Sequence, residues 1–125
     1  MNTGSAPRAV LRRLLCLLCL LAPAGVLAHA VVVSSRPAAN AVVDGAKVDI
    51  DIEFNSRVDA SRSRLSVIGA RHQSRALEID PAAPANRLRA TARDLAPGPQ
   101  LLEWYVLSTD GHITRGRLKF TVRTP

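Results

Sequence analysis

One segment of the sequence alternates between apolar and charged residues, and this alternation constrains the fold more than any other feature. In residues 47–54, an apolar residue at every second position is separated from the next by Asp49, Asp51 and Glu53. Successive side chains of a β-strand point to opposite faces of a sheet. The segment therefore predicts a strand with one face on a hydrophobic core and the other in water.

The same alternation recurs in weaker form along most of the chain. The further predicted strands are residues 30–34, 64–68, 76–80, 87–92, 100–107 and 116–123. Turn-forming residues separate them at 36–45, 69–73, 81–86 and 96–99. No segment after residue 28 shows the 3.6-residue apolar repeat of a substantial helix. Seven short strands in fewer than a hundred residues predict an all-β domain, either an immunoglobulin-like sandwich or a small Greek-key barrel.

The first 28 residues have the organisation of a secretory signal. A basic start is followed by an uninterrupted apolar run over residues 14–22, and no acidic residue lies before residue 29. Val26 and Ala28 provide the short side chains that signal peptidase accepts, so we predict cleavage between Ala28 and His29. We therefore expect a signal peptide at 1–28, one domain at 29–125 and export from the cytoplasm. The alternative is an uncleaved N-terminal anchor, although the apolar run is short for a membrane span.

Cleavage would change the composition in ways that bear on function. Cys16, Cys19 and the only methionine, Met1, all lie before the predicted cleavage point. The remaining 97 residues then offer neither a disulfide nor a sulfur ligand for a metal. Three arginines leave with the signal, which lowers the net charge from +7 to +4, and the surplus lacks the basic stripe of a nucleic-acid binder. We expect a monomer with a single core that includes Trp104.

The connection predicted between the last two strands, residues 108–115, is longer than a tight hairpin needs. Asp110 and His112 can point the same way from an extended backbone, and Gly111 permits the chain to bend and bring them closer. Loops on a rigid scaffold often carry function. On its own, however, this pattern is more typical of a turn followed by a solvated histidine. We also interpret His72, in the predicted turn at 69–73, as solvated.

A histidine at the start of a mature chain offers two ligands from one residue. Its imidazole Nδ1 and its free α-amine can close a six-membered chelate ring on one metal ion. Two nitrogens from His29, one from His112 and an oxygen from Asp110 would suit the tetragonal preference of Cu(II), with Ni(II) as the nearest competitor. The sequence alone does not show that His29 lies beside the 108–115 connection.

Over essentially the whole region after the signal, the chain resembles the CopC family of periplasmic copper-resistance proteins. The resemblance rests on His29 and Ala30, Ser-Arg-Pro-Ala at 35–38, Glu-Phe-Asn at 53–55, Trp-Tyr-Val-Leu-Ser-Thr-Asp-Gly-His at 104–112, Gly116, and Phe-Thr-Val at 120–122. It implies a cupredoxin-like or immunoglobulin-like Greek-key fold and one Cu(II) site formed by His29, Asp110 and His112. It also implies a non-catalytic role in copper homeostasis or resistance, in which copper is buffered or delivered to a CopD-type membrane importer.

Two features depart from the family pattern. Some members carry a methionine-rich loop that forms a separate Cu(I) site, and this sequence has no such loop, so exchange between Cu(I) and Cu(II) is not supported. Some relatives carry a glutamate near the copper, two residues after the strand-ending phenylalanine, where this chain has Ser56.

Two other functions stay open at this point. A copper oxidase could use the same terminal-histidine chelate, but a carboxylate beside the metal favours Cu(II) and discourages redox cycling. A structural or interaction sandwich without metal is the other alternative. It would gain support if cleavage fell elsewhere, because any residue ahead of His29 removes the α-amine.

Overall fold

The structure, a computed structural model, describes residues 29–124, and the predicted signal at 1–28 lies outside the described residues. The strands are β1 (Val32–Arg36), β2 (Val42–Asp44), β3 (Val48–Phe54), β4 (Arg64–Ile68), β5 (Ser74–Leu77), β6 (Arg87–Ala92), β7 (Gly98–Leu107) and β8 (Ile113–Arg123). A short 3₁₀ helix, Ala60–Arg62, precedes β4. Within residues 29–124, no helix has the length and apolar character needed to cross a membrane.

These eight strands form two sheets that pack face to face. The first sheet has the order β1-β3-β6, and the second has the order β2-β8-β7-β4-β5. All neighbouring strands are antiparallel except β2 and β8, which run parallel. Successive strands repeatedly change sheet, as in Greek-key sandwiches. The all-β sandwich predicted from the sequence is confirmed.

The core lies between the sheets and is built from alternate residues of each strand. In β3 the four apolar side chains are buried and the three acidic ones point outward, as the alternation predicts. The largest fully buried side chains are Phe54, Phe120, Ile50, Ile52, Leu65, Leu88, Leu102, Val67 and Val106. Burial of each large apolar side chain contributes roughly 1.5–3 kcal/mol. Trp104 is half-buried and packs against this core, in agreement with its predicted role.

Three strands differ from the sequence-based prediction by three residues, whereas β1 and β7 differ from it by two and β3 by one. β2 lies inside the predicted turn at 36–45, because three residues paired to a distant strand carry too little alternation to be recognised. β5 begins at Ser74 and ends at Leu77, earlier than predicted, because its pairing with β4 starts directly after a tight turn. β8 begins at Ile113 instead of Gly116, because its pairing with β7 continues to the end of that strand.

Three segments meet at one end of the sandwich: the residues before β1, the segment after β3, and the turn between β7 and β8. The Asp59 N–H donates to the carbonyl of Leu107 at 2.8 Å, and the Thr109 N–H donates to that of Arg57 at 3.3 Å. Val58 also pairs with Ser108 as an isolated bridge. This end of the molecule therefore gathers residues that are far apart in the sequence.

Candidate metal centre

The turn between β7 and β8 comprises residues 108–112 and is tighter than the predicted eight-residue connection. Gly111 has a φ of 90°, in the left-handed region that favours glycine. Its N–H donates to the carbonyl of Ser108 at 2.9 Å, and the Ser108 N–H donates to the carbonyl of His112 at 2.9 Å. Asp110 and His112 thus converge across a compact turn, and not from the extended backbone that the sequence suggested.

The carboxylate of Asp110 is held through one of its two oxygens. Oδ1 accepts hydrogen bonds from the Ser108 hydroxyl at 2.5 Å and from the His112 N–H at 3.1 Å. Ser108 itself is only 3% exposed, which fixes the donor. The hydrogen bond from Ser108, followed by the one from the His112 backbone, lowers the pKa of Asp110 from its ordinary value to about 2. The carboxylate is therefore ionised near neutral pH, with its second oxygen directed at His112.

The imidazole of His112 places its Nδ1 against the carboxylate of Asp110. Nδ1 is buried and lies 3.2 Å from Oδ2 of Asp110, although the His112 side chain as a whole is 42% exposed. Two ligand atoms about 2.1 Å from one metal and at right angles lie about 3 Å apart. The separation of Nδ1 and Oδ2 therefore fits two ligands of one cation.

His29 lies directly against His112. The two ring centroids are 5.3 Å apart and the ring planes are inclined by 73°, an edge-to-face contact. The next residue, Ala30, is 1% exposed. Beyond it, the Asn55 side-chain oxygen accepts from the Val31 N–H at 2.8 Å, and the Asn55 N–H donates to the Val31 carbonyl at 2.9 Å. Packing and a two-way hydrogen bond thus anchor the chain beside the β7–β8 turn.

The structure places all three residues predicted as ligands at one end of the sandwich, but their side chains do not surround a common metal position. Within residues 29–124, no three His, Cys, Asp or Glu side chains stand in an arrangement that would enclose a metal ion. The exposed ring of His29 instead meets the ring of His112 edge to face.

A model of the CopC domain family matches residues 32–123. The chain belongs to the CopC family. The matched region contains Asp110 and His112 and begins just after His29. Protein YobA of Escherichia coli K12 is 31% identical over 101 residues, covering 77% of this chain and 80% of that protein. The resemblance inferred from the sequence is confirmed.

Two solved structures resemble this CopC family member over most of their length. CopC from Methylosinus trichosporium OB3b aligns with a TM-score of 0.69 and 26% identity, covering 77% of this chain and 95% of that chain. PcoC from Escherichia coli, described as a methionine-rich copper resistance protein, aligns with a TM-score of 0.61 and 26% identity, covering 77% and 100%. The only methionine of the present chain is Met1, so it does not share the methionine-rich character of PcoC.

Three other polar residues, His72, Ser56 and Thr114, are not among the predicted metal ligands. His72 is exposed in the turn after β4 with a φ of 60°, in agreement with its interpretation as solvated. Ser56, at the position where some relatives have a glutamate, and Thr114 each hold a buried hydroxyl oxygen that has no hydrogen-bond partner within the described residues.

Sequence reasoning missed two residues that position the candidate ligands. Ser108 fixes Asp110, and its Ser-x-Asp spacing is typical of short hydrogen-bonded turns, so a local signal for it existed. Asn55 fixes the chain next to His29, but its partner is the distant Val31. No local pattern in the sequence indicates that contact.

Proposed function

We propose that this CopC family member binds one Cu(II) ion in the periplasm through His29, Asp110 and His112, after removal of residues 1–28. One observation carries the proposal. The imidazole nitrogen of His112, an ionised carboxylate oxygen 3.2 Å from it and a second imidazole ring converge at one end of the sandwich. The chain from His29 onward contains no Cys or Met, and nitrogen and oxygen donors without sulfur suit Cu(II) better than Cu(I).

Cleavage before His29 would supply the remaining ligand. In the full chain the backbone nitrogen of His29 is bonded to Ala28. After cleavage, the same nitrogen becomes an α-amine that can chelate copper together with the imidazole Nδ1. Because Ala30 is buried and Val31 is hydrogen-bonded to Asn55, metal binding would have to reorder only the terminal residue. A site that is largely preformed loses less conformational entropy on binding.

The proposed role is non-catalytic, with copper as cargo. Membership of the CopC family and the similarity to PcoC, a copper resistance protein, support a function in copper resistance or homeostasis. The protein would act as a monomer that buffers copper or delivers it to a CopD-type membrane importer. The carboxylate of Asp110 favours the Cu(II) state, so the copper-loaded protein should generate no more peroxide from ascorbate and oxygen than an equal amount of copper bound to a simple chelator.

Copper titration of a chain that begins at His29 tests the proposed ligands. We expect one tight Cu(II) per chain, with affinity lowered by at least about 100-fold in His112→Ala and about tenfold in Asp110→Asn. His72→Asn is the matched control, because it removes the exposed histidine while asparagine tolerates the left-handed backbone there. The control should keep the wild-type affinity. The absence of a tight site, or a tight site that survives His112→Ala, would refute the proposal.

A further inference from the structure

The outer face of the five-stranded sheet carries a group of basic side chains that the candidate metal centre does not use. Arg64, Tyr105 and Arg115 occupy directly paired positions on β4, β7 and β8. The guanidinium carbons of Arg64 and Arg115 lie 5.2 and 5.1 Å from the centroid of the Tyr105 ring. These cation–π contacts position both guanidinium groups beside the ring, while the two arginines stay exposed.

These residues line an open groove of about 550 Å³. Arg117 and Glu103, the next pair of β8 and β7, continue the groove, and Lys119 follows on the same face of β8. Among the described residues, the three arginines of the groove form no salt bridge, and Glu103 is the only carboxylate that lines it.

The outer face of the other sheet arranges its charges differently. There Asp51 pairs with Arg87 at 3.0 Å and with Arg89 at 3.1 Å, and Glu53 pairs with Arg87 at 2.7 Å. Charges on that face neutralise one another. The excess of basic residues is spread along the sequence. The strand register brings three arginines together in the groove on the five-stranded sheet, where they face the single carboxylate of Glu103.

We infer that this groove, formed by Arg64, Tyr105, Arg115 and Arg117, is a docking surface for an acidic segment of a partner protein. Neighbouring strands are about 4.8 Å apart, so Arg64 and Arg115 rise from backbones about 10 Å apart, and Arg115 and Arg117 are about 7 Å apart along β8. This spacing fits several separate carboxylates better than one small anion. Arginine forms paired hydrogen bonds with carboxylates, and arginine and tyrosine often dominate the binding energy of protein interfaces.

An apolar pair extends the same face towards the candidate metal centre. Ile113, which is 50% exposed, pairs with Leu107 where β8 follows the β7–β8 turn. A protein partner can cover this apolar pair and the basic groove together. A partner docked there would lie beside the turn that carries Asp110 and His112, although the inference rests on the groove alone and does not require a metal.

Titration with an acidic peptide tests this surface. The probe is a capped hexaglutamate peptide, added to the purified protein at low ionic strength. Trp104 and Tyr105 are the only Trp and Tyr of the chain, so intrinsic fluorescence reports on the groove. We expect saturable binding that is weakened about tenfold in the Arg64→Gln, Arg115→Gln double variant. The control double variant Arg71→Gln, Arg93→Gln has the same net charge, and its arginines are exposed and do not line the groove. It should bind within about twofold of wild type.

Three outcomes would overturn the inference. They are the absence of saturable binding, equal weakening in both double variants, and binding of inorganic phosphate or of phosphatidylglycerol vesicles in place of hexaglutamate. The Arg64→Lys, Arg115→Lys double variant provides a second measure that does not depend on the folding of the glutamine variant. It keeps the charge but lacks the planar guanidinium, so its affinity should fall between those of wild type and the glutamine variant.

Discussion

The imidazole rings of His29 and His112 meet edge to face, with their centroids 5.3 Å apart. His29 precedes β1 of the three-stranded sheet, and His112 precedes β8 of the five-stranded sheet. The contact between these rings therefore depends on how the two sheets pack. Any interaction that fixes the start of β1 relative to the β7–β8 turn should control copper binding.

Asn55→Ala should loosen His29 while the sandwich stays folded. The variant removes the acceptor 2.8 Å from the Val31 N–H, so the free energy of unfolding should fall by about 1 kcal/mol. Ordering one more backbone residue on metal binding costs roughly 1–2 kcal/mol, so Cu(II) affinity should fall roughly tenfold in a competition titration. Asn86→Ala is the control, because the Asn86 side chain donates to the Phe54 carbonyl at 3.5 Å instead of to the chain before β1. Equal losses of affinity in both variants would contradict the anchoring role of Asn55.

Ser108→Ala should raise the pKa of Asp110 from about 2 towards the ordinary value of aspartate, because the Ser108 hydroxyl contributes most to the lowering. Carbon-13 NMR of the Asp110 carboxyl in the metal-free protein measures this change. Thr109→Ala, which alters the neighbouring exposed residue, is the control. An unchanged Asp110 pKa in Ser108→Ala would show that the hydroxyl does not act as described.

The same variant has a consequence for stability in acid. The folded-state pKa of Asp110 lies below the unfolded-state value, so its ionised carboxylate stabilises the fold above about pH 4. That contribution is lost as the pH falls towards 2. Ser108→Ala should therefore lose less stability than wild type over this range, as measured by urea unfolding at successive pH values.

Local sequence periodicity predicted the strands that have a long buried face. β4 and β6 have the bounds that the alternation predicts, because side-chain direction in a strand is a local property. β2 could not be predicted in the same way. It is three residues long, and it exists because it pairs with β8, which is distant in the sequence.

Gly116→Ala should destabilise the sandwich. A Cβ at this position would overlap the indole ring of Trp104, which lies directly opposite on β7. Because the ring must move to admit a methyl group, we expect the free energy of unfolding to fall by about 1–3 kcal/mol. Gly69→Ala is the control, since its methyl group would lie at an ordinary 3.5 Å from Gln100. Thermal unfolding followed by Trp104 fluorescence measures both variants, and a Gly116→Ala protein as stable as Gly69→Ala would contradict this packing.

The candidate ligands were recognisable by type and by family resemblance, but their proximity was not. Asp110 and His112 belong to one turn, so the sequence could associate them. Their contact with His29 follows from the pairing of β1 with β3 and from the packing of the two sheets. Likewise, Arg64 and Arg115 become neighbours of one tyrosine only through strand register, which the sequence does not display.

The most direct test compares copper binding by two forms of the protein, one that begins at His29 and one that keeps Ala28 ahead of it with the Ala28 amine acetylated. The two forms share every side chain proposed as a ligand and differ in whether His29 has a free α-amine. We expect one tight Cu(II) per chain for the form that begins at His29. The form with acetylated Ala28 should bind Cu(II) at least about 100-fold more weakly, with fewer nitrogen ligands in its electron paramagnetic resonance spectrum. Equal affinities in the two forms would contradict the central claim that cleavage before His29 creates the copper site.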